Sequence, residues 1–331
     1  MIELYTSIRE IHQPWDEVVA AAGAPIFYTS AYLDAYENAP LQPVEERAYL
    51  VLRNGTPKMV LPVTFMSHAD PIGALAGRLP GFEERPTGLL SHIWHCYDSW
   101  LPGTATADDV RLVLDRFRVL ARDMGAAWYG LVNVDRAGGG AILEAAGLAP
   151  LEIDDRYSLD LTRYATVEDY MASIRAMKAR NEMRRQARRA AEAGLEVRVT
   201  GPAGADWDAL FPLVLKTAAK HHNQHFYRDG IFQDFVLRLG PAARVIELRL
   251  RGTLIGGAIC MVDSRRYHFW TAGVDYAAGG TFSPYYLLTI EGVRDALSLG
   301  VPVMECGRRN GGFKTRYGMS RRPLYAYVAP A

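Results

Sequence analysis

Between residues 307 and 318 the chain reads GRRNGGFKTRYG. Glycines let backbone approach a ligand closely, and Phe313, Lys314, Arg316 and Tyr317 follow in quick succession. A single lysine flanked by aromatic residues can stand over a reacting carbonyl and stabilise the charge that develops on its oxygen. The same spacing also describes a basic surface loop closing the last strand, and residue types alone leave both readings open. Glu305 ends the strand-like segment 301–305 beside this loop. It is placed to deprotonate or anchor an incoming ammonium, and equally to pair with a nearby arginine. Arg308, Arg309 and Arg316 have the chemistry to hold phosphate.

Two other clusters have reactive residue types. In KHHNQHFY, His221 and His225 are spaced i,i+4, as two metal ligands on one helix face would be, with His222 beside them. No third ligand follows at a sensible spacing, so no metal is expected. In SHIWHCYDSW, His92, His95 and Asp98 sit among aromatic residues in a loop-rich stretch. Such a composition lines a pocket, or packs an irregular segment.

The elements that must position these groups come as a degenerate repeat. Residues 47–66 read RAYLVLRNGTPKMVLPVTFM and residues 244–263 read RVIELRLRGTLIGGAICMVD. Each is a pair of apolar strands joined by a glycine turn, Asn54-Gly55 or Arg251-Gly252, which specifies a β-hairpin. Gly55 aligns with Gly252 and Arg47 with Arg244. A short helix pattern precedes each hairpin, and an amphipathic helix, a glycine and a strand follow it. Helix, hairpin, helix and strand, twice over, predict two tandem α/β domains, residues 1–150 and 151–331. Within the second, Thr166 and Asp169 form a capping-box signature, and an arginine-rich helix with an apolar stripe runs up to Gly194.

With these segments on the page, each half resembles a GNAT-type N-acyltransferase domain, and the pair resembles the FemAB-like tandem-GNAT aminoacyl and acyl transferases. In the second half the resemblance covers the whole domain. It rests on RNEMRRQARRAAEAGLEVRV, on the RGTLIGGAICM hairpin, on YHFWTAGVDYAAGGTFSPYYLL and on VMECGRRNGGFKTRYG. The first half resembles the family through FYTSAYLDAYE, its hairpin and its element order, and has no counterpart of the Lys314 loop. The resemblance implies that the first domain is degenerate and the second catalytic. Each would be a mixed, mostly antiparallel sheet flanked by helices, splayed at its centre. It assigns Lys314 as oxyanion donor, or as the group that positions the terminal adenosine of a tRNA, with Tyr317 as proton relay or hydrogen-bond donor beside it. It places Tyr267, Trp270 and Tyr285 along the splay, and His221, His222 and His225 in the acceptor-pocket wall, with His95 and Asp98 as further substrate contacts. Gly279 and Gly280, before the helix that opens at Pro284, stand where acyl-CoA-using members hold pyrophosphate. The usual Gln/Arg-x-x-Gly-x-Gly/Ala arrangement is missing there, a departure that Fem-type enzymes share, taking their acyl group from aminoacyl-tRNA.

Charge bears on the same choice. The chain has 331 residues and zero formal net charge. Residues 175–189 and 308–322 each carry a net +6, leaving −12 on the remainder. Concentrated basic segments on an acidic body fit a local phosphate-bearing ligand, with Arg184, Arg185 and Arg188 as the first contacts. A solvated basic helix face gives the same count. Hydrophobic content of 49%, three scattered cysteines, no membrane-spanning run and no signal-peptide pattern point to a cytoplasmic globular protein. The expectation is an amide-forming transferase without a resident cofactor, using aminoacyl-tRNA as co-substrate and a small amine as acceptor. That acceptor would be a cell-wall precursor or a specialised-metabolite intermediate, as in antibiotic biosynthesis. The alternatives are an acyl-CoA-dependent N-acyltransferase and a non-catalytic nucleic-acid-binding protein.

Overall fold

The computed structural model of the chain describes residues 1–42, 44–220 and 223–331. They form two compact units, Met1–Asp155 with Arg322–Ala331, and Arg156–Arg321.

The first unit contains β1 (Ile2–Tyr5), α1 (His12–Ala22), α2 (Ser30–Asn38), β2 (Glu46–Asn54), β3 (Thr56–Met66), β4 (Gly88–Ser91), α3 (Ala107–Asp123), β5 (Trp128–Val134) and α4 (Ala141–Ala145). Gly55, at φ 76°, turns the expected β2–β3 hairpin. Thr106 and Asp109 box the start of α3, whose Val110, Val113, Leu114 and Phe117 bury against Leu50, Leu52 and Leu61 of the hairpin. β4 and β5 are parallel. Residues 94–100 then cover the far end of β5. Ser99 bridges Val134, and the Asn133 amide donates to the Trp94 and Cys96 carbonyls. The aromatic-rich stretch packs an irregular segment, and its His92 and Ile93 also line a small pocket with Tyr36, Arg47 and Tyr49.

β6 (Leu151–Asp160) crosses the boundary between the units. The second unit continues with α5 (Val167–Ser173), α6 (Met177–Glu192), β7 (Leu195–Thr200), α7 (Trp207–Lys220), α8 (Ile231–Arg238), β8 (Ala243–Leu250), β9 (Thr253–Val262), β10 (Arg266–Val274), α9 (Pro284–Ser298), β11 (Val303–Glu305) and α10 (Gly311–Arg316). The last strand, β12 (Ser320–Pro330), pairs antiparallel with β5. Residues 322–331, expected in the second domain, thus complete the sheet of the first, where Leu324 and Ala326 pack with Ile153 and Trp94. Gly130 makes the pairing possible, since a Cβ there would meet the Tyr327 carbonyl oxygen at 2.0 Å.

Within the first unit the strands lie in the order β1-β2-β3-β4-β5-β12, and within the second β6-β11-β10-β9-β8-β7. Both are antiparallel except for one parallel pair, β4–β5 or β10–β11. This is the mixed, mostly antiparallel α/β architecture expected of both halves. In the second unit the parallel pair lasts three residues, ending at His268–Glu305. β11 stops there while β10 runs on to Val274, so the sheet splays at its centre.

The repeat is out of step by one residue. Arg244 faces α9 and grips Asp295 through two hydrogen bonds of 2.6 Å. Arg47 lies on the face away from α3, its guanidinium 5.0 Å over the Tyr36 ring of α2. The hairpin turns differ in length: Asn54 pairs with Thr56, whereas Leu250 pairs with Thr253 across two turn residues. Aligning glycine to glycine therefore flips the strand face.

Candidate functional site

The glycine loop after β11 is tightly wound. Gly307, Arg309 and Asn310 all have left-handed backbone, at φ 68°, 65° and 54°. Non-glycine residues in that region cost on the order of 1–3 kcal/mol and persist only where their surroundings hold them. Lys314 supplies the hold. It is only 3% exposed, and its ammonium donates to the Gly307 carbonyl at 3.0 Å and the Arg308 carbonyl at 2.7 Å. The ammonium also lies 5.4 Å over the Tyr157 ring. Gly311 lets that ring in, because a Cβ would stand 2.2 Å from the Tyr157 hydroxyl. Lys314 is thus turned into its own loop, not outward toward an oxyanion.

Tyr317 is buried as well. Its hydroxyl shares a hydrogen bond of 2.9 Å with Tyr286, and its carbonyl accepts from the Tyr170 hydroxyl. Burial, then the Tyr286 hydrogen bond, hold its ionisation well above the ordinary phenol range. Tyr317 is therefore an anchor of the loop, and its proton does not leave near neutral pH. Phe313 joins the cluster, 4.5 Å from the Tyr317 ring and 5.1 Å from those of Tyr285 and Tyr286. Tyr285 is half-buried at this edge, its ionisation pushed up to about 12 by burial.

Glu305 takes the second of its two expected roles. Its carboxylate lies 3.3 Å from Arg156, with both side chains more than nine-tenths buried. It partners an arginine and is buried away from solvent. Tyr267 is core: it packs with Phe269 in the cluster around α9, and its hydroxyl donates to Asp295 at 2.8 Å. Trp270, on the opposite face, stacks on Phe232 at 5.8 Å. Asp98, in the first unit, is buried and accepts from the Trp100 indole at 2.8 Å, while His95 is half-buried nearby. His221 and His222 lie outside the described residues, as does the side chain of His225. No group of three metal-binding side chains occurs among the described residues.

Where the sheet splays, Thr271 of β10 shares a hydrogen bond of 3.3 Å with Tyr227. Burial raises the ionisation of Tyr227, and the nearby charge of Arg308 partly offsets it. Tyr227 follows the histidine cluster directly, a signal that sequence reasoning passed over. Arg309 and Arg316 are exposed and Arg308 is half-buried.

The arginine helix α6 has the predicted stripe, with Ala179, Met183 and Ala190 buried. Arg184, Arg185 and Arg188 are exposed. Arg185 pairs with Glu182, and Arg188 stands 3.5 Å from Glu192. Arg184 has no ion-pair partner among the described residues. The stripe also contains Gln186, whose side-chain oxygen accepts the Ser283 N–H at 2.7 Å at the start of α9. Arg189 donates to the Thr281 carbonyl at 3.0 Å. Gly279 and Gly280 are turn residues beneath these contacts. A Cβ on Gly279 would meet the Phe282 carbonyl at 2.5 Å, and Gly280 is left-handed at φ 60°.

Residues 177–315 match the acetyltransferase (GNAT) domain family. No curated protein matches the chain. Among solved structures, FemX shares 11% identity at a TM-score of 0.66, over 99% of this chain and 97% of its own. A tandem GNAT protein from the clavulanic acid biosynthesis pathway shares 15% identity at a TM-score of 0.57, over 100% of this chain and 98% of its own. L-PGS from Bacillus licheniformis shares 14% identity at a TM-score of 0.59, over 95% and 90%. The chain thus carries a GNAT domain over residues 177–315, and its fold throughout is similar to that of FemX and of the tandem GNAT protein.

Proposed function

We propose that the second unit moves an aminoacyl group from aminoacyl-tRNA to the amine of a small acceptor, a specialised-metabolite intermediate or a cell-wall precursor. The observation that carries the choice of donor is the Gln186–Ser283 hydrogen bond. A pyrophosphate seated at the start of α9 would need its first amides. Pro284 has no N–H, and the Ser283 N–H is already held by the chain's own glutamine. The exposed arginines of α6 suit an extended phosphate backbone instead.

In the reaction a neutral amine adds to the ester carbonyl. The carbon–nitrogen bond forms, the carbon–oxygen bond to the ribose breaks, and the amine proton passes to the departing ribose oxygen. No residue has to be redox-active or to form a covalent intermediate. The main demand is a donor for the oxyanion. The edge of β10 beyond His268, where β11 has ended, presents main-chain N–H groups into the splay, as strand edges do. In this reading Lys314 and Tyr317 are positioning residues that hold the loop against that edge. Tyr227, Thr271 and Tyr285 flank the acceptor, with Arg308, Arg309 and Arg316 toward the RNA.

The acetyltransferase description of the matching domain favours acyl-CoA as the second reading. Filter binding of bulk aminoacylated tRNA, run beside a thermal-shift titration with CoA and acetyl-CoA, separates the two. Salt-dependent RNA retention without a CoA shift is expected. A CoA shift without RNA retention would overturn the tRNA reading.

A further inference from the structure

The loop between β10 and α9 is built without help from its own tyrosine. Asp275 accepts from the Ala277 and Ala278 N–H groups at 3.0 and 3.4 Å, which winds the start of the loop. Its other end is fixed by Arg189 on the Thr281 carbonyl and Gln186 on the Ser283 N–H. Between these fixed ends Tyr276 stands 51% exposed. A rigid loop that turns an aromatic ring to solvent offers a flat surface whose orientation need not be set at the moment of binding.

One cation stands over the ring and two more reach its loop. The Lys220 ammonium lies 4.8 Å from the Tyr276 ring centroid. Lys216, one turn earlier on α7, is 3.6 Å from Asp275. Arg189 reaches the same loop from α6. Burial first, and the charge of a nearby ionised Tyr276 in smaller part, raise the ionisation of Tyr285 at the edge of the glycine loop.

We propose that Tyr276 is a stacking platform for an unpaired base at the 3′ end of the donor RNA, with Lys216, Lys220 and Arg189 neutralising the adjoining phosphates. This rests on the aminoacyl-tRNA reading above. Aromatic platforms flanked by cations are how proteins hold single-stranded nucleic acid without reading its sequence, since every base offers a π-face. The cation over the Tyr276 ring strengthens such a stack by adding its own charge to the phosphate side.

The test uses the full chain in filter binding with bulk tRNA, and with the same tRNA trimmed of its single-stranded 3′ nucleotides. Wild type should bind intact RNA more tightly than trimmed, by roughly 5- to 150-fold. Tyr276→Ala should abolish that preference, Tyr276→Phe should keep it, and both should retain the melting temperature and the salt slope of wild type. A Tyr276→Ala protein that still prefers intact RNA overturns the platform. So does a wild type that binds both RNAs equally and with salt dependence, and in that case the tRNA reading stands. Failure of wild type to bind either RNA removes the tRNA reading and the platform with it.

Discussion

Gln186 Oε1 accepts the Ser283 amide hydrogen at 2.7 Å and so ties the arginine helix α6 to the start of α9. The side chain is nearly buried, and its amide nitrogen is in turn held by Glu182 at 2.6 Å. It acts as a helix cap supplied by a different helix. Gln186→Ala should therefore cost about 1 kcal/mol of stability, within the range for losing a cap. Urea unfolding of the two proteins measures this, and an unchanged midpoint would mean that the contact contributes nothing to folding.

Lys314 holds two loop carbonyls, so its removal should act on the loop first. Lys314→Ala should lower stability by about 1–3 kcal/mol, because buried acceptors lose a charged donor. Turnover should fall roughly 10²- to 10³-fold, as when an oxyanion-stabilising arrangement is lost. Thermal unfolding and single-turnover assays are read together. Lost turnover with an unchanged melting temperature would instead make Lys314 a direct participant in the chemistry.

Arg184, Arg185 and Arg188 point to solvent from one helix. Changing all three to Gln should reduce the log–log salt slope of tRNA binding by roughly 2 to 3 units, one released counterion for each lost phosphate contact. A slope equal to wild type would take α6 out of the RNA path.

His92 is buried beside the Phe27 carbonyl, and burial lowers its pKa to about 4. In the unfolded chain it takes up a proton near pH 6.5. Between these values the unfolded state binds more protons, so stability is complete above pH 6.5 and declines as the pH falls toward 4. The loss should be on the order of 3 kcal/mol and should level off below pH 4. His92→Gln should flatten this acid limb in unfolding curves at pH 7, 5.5 and 4.5. An identical limb in the variant would assign the loss to other groups.

Local patterns carried most of the fold. The glycine turns, the Thr166–Asp169 box and the apolar stripe of α6 were legible because neighbouring residues encode each of them. The glycine loop was legible for the same reason. What it does with Lys314 was not, because the direction of a side chain depends on the carbonyls it meets after folding. The sequence left Glu305 open between chemistry and an arginine partner, because that partner, Arg156, lies on a strand far away in sequence. The repeat misled by one residue because the glycine landmarks align while the turns around them differ in length. Gln186 looked like one more polar residue among arginines, and only its approach to Ser283 gives it a role.

The pairing of β12 with β5 sets an order of events during synthesis. When β5 leaves the ribosome its future neighbour does not yet exist, and the whole second unit is translated before it appears. Until then one side of β5 is a bare row of N–H and C=O groups, a template for pairing with the wrong chain. A nascent protein halted anywhere before Arg322 keeps that edge uncovered. The first unit is therefore completed only after the whole second unit has been translated.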